Sequence, residues 1–86
     1  MSLYQVIVET SAERDFKKLP HDTAQRVDAK MQSLAADPRP PGCLRLAGVD
    51  LWRIRVGKIR VLYEIDDASK TVHITNIDDR SDVYRK

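Results

Sequence analysis

Five cations, Arg45, Arg53, Arg55, Lys58 and Arg60, fall between Leu44 and Arg60 against a single acid, Asp50. Such a local surplus is an electrostatic footprint for nucleic acid or another polyanion, and a solvated face is the competing reading. Spacing sharpens it. Trp52, Ile54 and Val56 alternate with Arg53 and Arg55, so an extended strand here puts its apolar residues on one face and its arginines on the other. Gly57-Lys58 suits a two-residue turn with glycine first. That turn sets Val56 against Ile59, Arg55 against Arg60, Ile54 against Val61, and Trp52 against Tyr63. Arginines facing each other across strands repel, and a bound anion would supply the missing negative charge.

Other groups gather around this face. With a four-residue loop over Asp66 to Ser69, Tyr63 faces Val72, Val61 faces Ile74, Arg60 faces Thr75, and His73 joins the basic side. The terminal run from Asp78 to Lys86 follows the last long strand. It could bring Arg80 and Tyr84 to the edge of the arginine face, or end as a frayed polar terminus. No acids and histidines share metal-ligand spacing; Asp78 and Asp79 point apart if extended. Cys43 is the only cysteine and has no histidine or second thiol beside it, which points to a reducing, intracellular setting.

The 86 residues make one domain, residues 1–86, and a chain this short buries only about 60% of its unfolded surface. Its hydrophobic share of 42% supports a single core, and its net charge of +2 says little by itself about partners. No apolar run approaches the ~20 residues that span a bilayer, and no basic-then-apolar leader opens the chain. A soluble cytoplasmic protein is the expectation.

The elements that must position the arginines read in order. Tyr4 to Val8 is rich in β-branched residues and predicts a strand. Thr10 with Glu13 forms a capping box for a helix carrying Ala12, Phe16 and Leu19 on one stripe, ended by Pro20. Asp22 with Gln25 looks like a second cap, and Ala24, Val27, Met31 and Leu34 make residues 22 to 36 an amphipathic helix. Asp37-Pro38-Arg39-Pro40-Pro41-Gly42 cannot be regular structure and returns the chain to a sheet. Three strands follow, Leu51 to Val56, Ile59 to Ile65 and Thr71 to Ile77. The pattern predicts an α+β fold: an N-terminal strand, a helical hairpin, then an antiparallel three-stranded meander. Both helices would cover one sheet face and leave the other open.

These residues carry a resemblance. Leu44-Arg45-Leu46-Ala47-Gly48 with Leu51-Trp52-Arg53-Ile54-Arg55 resembles a stretch of RelE/ParE-superfamily toxins. So does Lys58-Ile59-Arg60-Val61-Leu62-Tyr63-Glu64-Ile65-Asp66-Asp67, and Arg80-Ser81-Asp82-Val83-Tyr84-Arg85 resembles their ending. The similarity covers essentially the whole chain. It implies a toxin of a toxin–antitoxin pair that cleaves messenger RNA on the ribosome, held in check by an antitoxin. Carried over by position, Arg55, Arg60, Arg80 and Tyr84 form the catalytic set and Arg53 contacts RNA. Arg45, Lys58, His73 and Arg85 complete the expected RNA-binding surface.

The implied chemistry needs no metal or other cofactor and takes no small-molecule substrate. A ribose 2′-hydroxyl attacks the adjacent phosphate, giving a cyclic phosphate and a free 5′-hydroxyl. Guanidinium forks match the phosphate oxygens. The chain departs from its relatives in two places. Arginine stands at 53 and 55 where lysine is common, and arginine cannot serve as a base, which leaves Tyr84 as the proton-transfer candidate. Asp78-Asp79 replaces a glycine-histidine pair, placing two carboxylates where phosphate would bind. A ParE-like inhibitor that binds DNA gyrase without chemistry is the alternative function. A decayed relative that only binds antitoxin is a third.

Overall fold

The computed structural model describes residues 3–79. The chain runs β1 (Gln5–Val8), α1 (Thr10–Lys17), α2 (His21–Ser33), β2 (Leu44–Arg45), β3 (Trp52–Val56), β4 (Ile59–Asp66) and β5 (Thr71–Asp79). The strands form one mixed sheet in the order β1-β5-β4-β3-β2. β1 lies parallel to β5, and every other pairing is antiparallel. The expected α+β architecture is present, with one strand more than the sequence pattern suggests. β2 is only two residues long, and so short a strand leaves no alternation to detect.

Both helices pack against one face of the sheet. Ala12 of α1, with Val27 and Met31 of α2 and Leu34 just beyond it, meet Ile54, Ile59, Val61, Tyr63, Val72, Ile74 and Ile77 in a single core. Phe16 and Leu19 are partly buried against it, so the two apolar helical stripes are core. At about 25 cal/mol per Å² of apolar area, such side chains each contribute roughly 1.5–3 kcal/mol when fully buried. The opposite sheet face carries the arginines.

The helix starts differ in detail from expectation. Glu9, not Thr10, is the N-cap of α1, and neither helix has a side-chain cap hydrogen bond. Glu9 is committed to the sheet instead: its N–H donates to the Ile74 carbonyl at 2.9 Å and its carboxylate meets His73. Pro20 does not simply end α1, which stops at Lys17; it caps α2, and its carbonyl accepts from the Ala24 N–H at 2.8 Å.

The first hairpin has the expected register throughout, from Val56 opposite Ile59 to Trp52 opposite Tyr63. Gly57 takes φ 60°, a left-handed conformation that glycine adopts at no steric cost. Tyr63 is fully buried and donates to the Pro38 carbonyl at 2.8 Å. Trp52, its cross-strand partner, is only half-buried.

The second hairpin corrects the expected register. Asp66 pairs with Thr71, so the connection is Asp67 to Lys70, and Tyr63 faces Ile74, Val61 faces Ile77, and Arg60 faces Asp78. Two causes combine. The Asp66 carboxylate accepts from the Ser69 N–H at 3.2 Å and fixes the turn. A bulge beside Leu62 and Tyr63 then gives β5 one extra residue, Thr75. Ser11 of α1 donates to the Thr75 carbonyl at 2.8 Å, and the Thr75 hydroxyl donates to the Leu62 carbonyl at 3.2 Å. The bulge reverses the alternation of β5. Ile77 therefore enters the core, and Asp78 turns to the open face.

Candidate nucleic-acid interface

The open face is built from rungs that cross the sheet. One rung is Arg55, Arg60 and Asp78, from β3, β4 and β5. The next is Leu44, Arg53, Leu62 and Asn76. Arg53 thus extends between two leucines, which shield its stem while its head remains polar. The Nε–H groups of Arg53 and Arg60 are both buried and donate to no acceptor among the described residues. Arg55 is exposed beside Arg60. Together, Arg53, Arg55 and Arg60 present forked donors suited to phosphate oxygens.

Negative charge beside the basic residues comes from the last strand. An Asp78 carboxylate oxygen lies 3.8 Å from Arg60 Nη2, and an Asp79 oxygen lies 3.7 Å from Lys58 Nζ. Asp78 and Asp79 do diverge, as extended neighbours should. Asp78 shares the face of Arg60, whereas Asp79 is in register with Ile59.

Other predicted residues lie elsewhere. Arg45 is in register with Trp52, hence on the other side of the sheet from Arg53, and it pairs with Asp50 at 3.4 Å, both side chains exposed. His73 is on the open face, but in register with Glu64, four positions along β4 from Arg60 and about 13 Å away at the usual strand rise. Its Nδ1 lies 2.9 Å from a Glu9 carboxylate oxygen. Asp50, Glu64, Asp66 and Asp67 line one hollow with it, so the face is basic at one end and acidic at the other. Arg80, Tyr84 and Arg85 lie outside the described residues. β5 ends at Asp79 opposite Ile59, at the basic end of the sheet.

One charged cluster has no sequence signal. Arg39, from the proline-rich connection, makes a two-pronged ion pair with Asp67 at 2.9 and 3.3 Å, and Tyr4 donates its hydroxyl to the same carboxylate. These bonds hold the Asp67 pKa down at about 2, the Arg39 fork contributing most and the Tyr4 hydroxyl next. The Arg39 guanidinium also lies 5.1 Å from the Trp52 ring centre. Residues so far apart in sequence show no spacing that could reveal their meeting.

A small mixed sheet with two helices on one face and ranked arginines on the other defines the class, that of RelE-like toxins. Known proteins agree. The family described as the ParE toxin of the type II toxin–antitoxin system parDE matches residues 6–84, and the chain belongs to that family, within the RelE/ParE superfamily. It is 38% identical over 85 residues to the toxin RelG of Mycobacterium tuberculosis, covering 96% of this chain and 98% of that one. The structure of the RelBE2 toxin–antitoxin complex of M. tuberculosis is similar at 33% identity and a TM-score of 0.79, over 91% of this chain and 99% of that chain. The archaeal RelE–RelB complex of Pyrococcus horikoshii is similar at 25% identity and a TM-score of 0.82, over 91% and 96%. No helix among the described residues is long and apolar enough to cross a membrane.

Proposed function

We propose that this toxin is a ribosome-dependent endoribonuclease that cleaves messenger RNA without a metal, and that a cognate antitoxin restrains it. The observation that carries the reading is the in-register Arg55–Arg60 pair with Arg53 on the adjacent rung. These three guanidinium groups bind the scissile phosphate and its neighbours, and they stabilise the charge that grows on the phosphorane. Arg80 and Tyr84 complete the catalytic set. A 2′-hydroxyl attacks phosphorus, the 5′-oxygen leaves, and the products are a cyclic phosphate and a 5′-hydroxyl. Arginine holds its protons, so Tyr84 handles proton transfer. Arg53, Lys58 and Arg85 bind the flanking strand, whereas Arg45, on the other side of the sheet, and His73, at the acidic end, lie away from it. The antitoxin reading is supported by relatives solved as toxin–antitoxin complexes.

Expression in a bacterial host tests the pair. The chain alone should arrest growth, Arg60→Ala should lift the arrest at equal protein level, and co-expression of a cognate antitoxin should restore growth. Normal growth on expression of the wild-type chain alone would remove the toxin reading.

A further inference from the structure

Arg60 has two in-register neighbours of opposite sign, Arg55 on β3 and Asp78 on β5. The Asp78 contact is loose. At 3.8 Å it is longer than a hydrogen bond, and the side chains of Arg60 and Asp78 remain 27% and 35% exposed. It leaves Arg60 Nε, which is buried, with no acceptor among the described residues. The neighbouring acid, Asp79, is in register with Ile59 and is paired to Lys58, so it does not share this position. Asp78 stands beside Arg60 only because the Thr75 bulge turns it outward in place of Ile77.

We propose that Asp78 is a built-in counter-anion of the phosphate site, which competes with RNA for Arg60 and sets the affinity of the face. The inference rests on the RNA reading above. In the free protein the carboxylate offsets the repulsion between Arg55 and Arg60. A phosphate that binds across the two arginines does the same work, must replace the Arg60–Asp78 attraction, and is repelled by the carboxylate it displaces. Asp78 thus weakens RNA binding while easing strain in the unbound sheet. The effect is electrostatic, so it belongs to low salt and fades as salt screens it.

The test is binding of a short fluorescently labelled single-stranded RNA to the purified chain, followed by anisotropy over a salt series below the melting temperature of every variant. Asp78→Asn and Asp78→Ser are compared with Asp28→Asn, which changes net charge equally on the exposed side of α2. Both Asp78 variants should bind about two- to fivefold tighter than Asp28→Asn at low salt. The slope of log affinity against log salt should steepen by about 0.7, one more neutralised phosphate on a single strand. Affinity and slope equal to those of Asp28→Asn, or weaker binding by either Asp78 variant, would overturn the proposal. Cleavage in a translating extract separates it from the reading beneath it. Tighter binding with intact RNA sinks the nuclease and keeps the counter-anion, whereas cleavage by wild type without tighter binding does the reverse.

Discussion

A guanidinium keeps its proton at any working pH, so in the proposed reaction Arg53, Arg55 and Arg60 can bind phosphate and stabilise charge but cannot act as a base. Arg55 and Arg60 were legible because the two-residue glycine turn and the apolar alternation permit only one register. Arg39 was not legible. Its partners Tyr4, Trp52 and Asp67 are scattered along the chain, and only folding brings them together. The cluster ties β1, the proline-rich connection and the β4–β5 turn to one carboxylate. It also makes a prediction about acid. Asp67 titrates at about 2 in the folded chain, below the ordinary carboxylate value of ~3.9. Its stabilising contribution is therefore complete above about pH 4 and is lost as pH falls from there toward 2. Urea midpoints measured across that range should fall more steeply for wild type than for Asp67→Asn. Parallel curves would show that the cluster does not stabilise the fold.

At the scale of elements, the first hairpin and the helical stripes follow from periodicity, while the second hairpin depends on a device that periodicity hides. Thr75 and Asn76 are ordinary strand residues, and nothing in their types announces that β5 carries one more residue than β4 can pair. The consequence is large, because the bulge decides that Asp78 joins the arginines and Ile77 joins the core. The caps show the same limit. Glu9 lies in a good position to serve α1, but its carboxylate goes to His73 across the sheet, and local rules yield to tertiary contacts. The Gly57 turn offers a direct check on the hairpin that aligns Arg55 with Arg60. No Cβ clash blocks a larger residue there, so the cost of Gly57→Ala is backbone strain at φ 60° alone. We expect a loss of roughly 1–2 kcal/mol, seen as a lower melting temperature with unchanged fold by circular dichroism. An unchanged melting temperature would mean that the turn does not need its left-handed residue.

Across the whole molecule, function is divided between the two faces of one sheet. The helix-covered face supplies the core and the open face carries the arginines to which the proposed chemistry is assigned, so they can be tuned without repacking the interior. The open face is polar along its length, with Arg53, Arg55, Lys58 and Arg60 toward one end and Glu64 and Asp66 toward the other. On the proposed RNA reading, such a surface would orient a strand toward its basic end and repel it from the acidic one. This distribution, rather than the net charge of +2, is what suits the chain to a polyanion. Family membership does not choose between RNA cleavage and gyrase binding, because the family is described by its ParE toxin and the relatives carry RelE-type names.

Cleavage of a messenger RNA in a translating extract makes that choice. Wild type should produce fragments ending in a cyclic phosphate and beginning with a 5′-hydroxyl. Arg60→Ala and Tyr84→Phe should each slow cleavage by about a hundredfold or more, the usual loss for a charge-stabilising or proton-transfer group. Intact RNA with wild-type protein, together with gyrase-dependent DNA breaks in cells, would contradict the account and leave only the fold and the family standing.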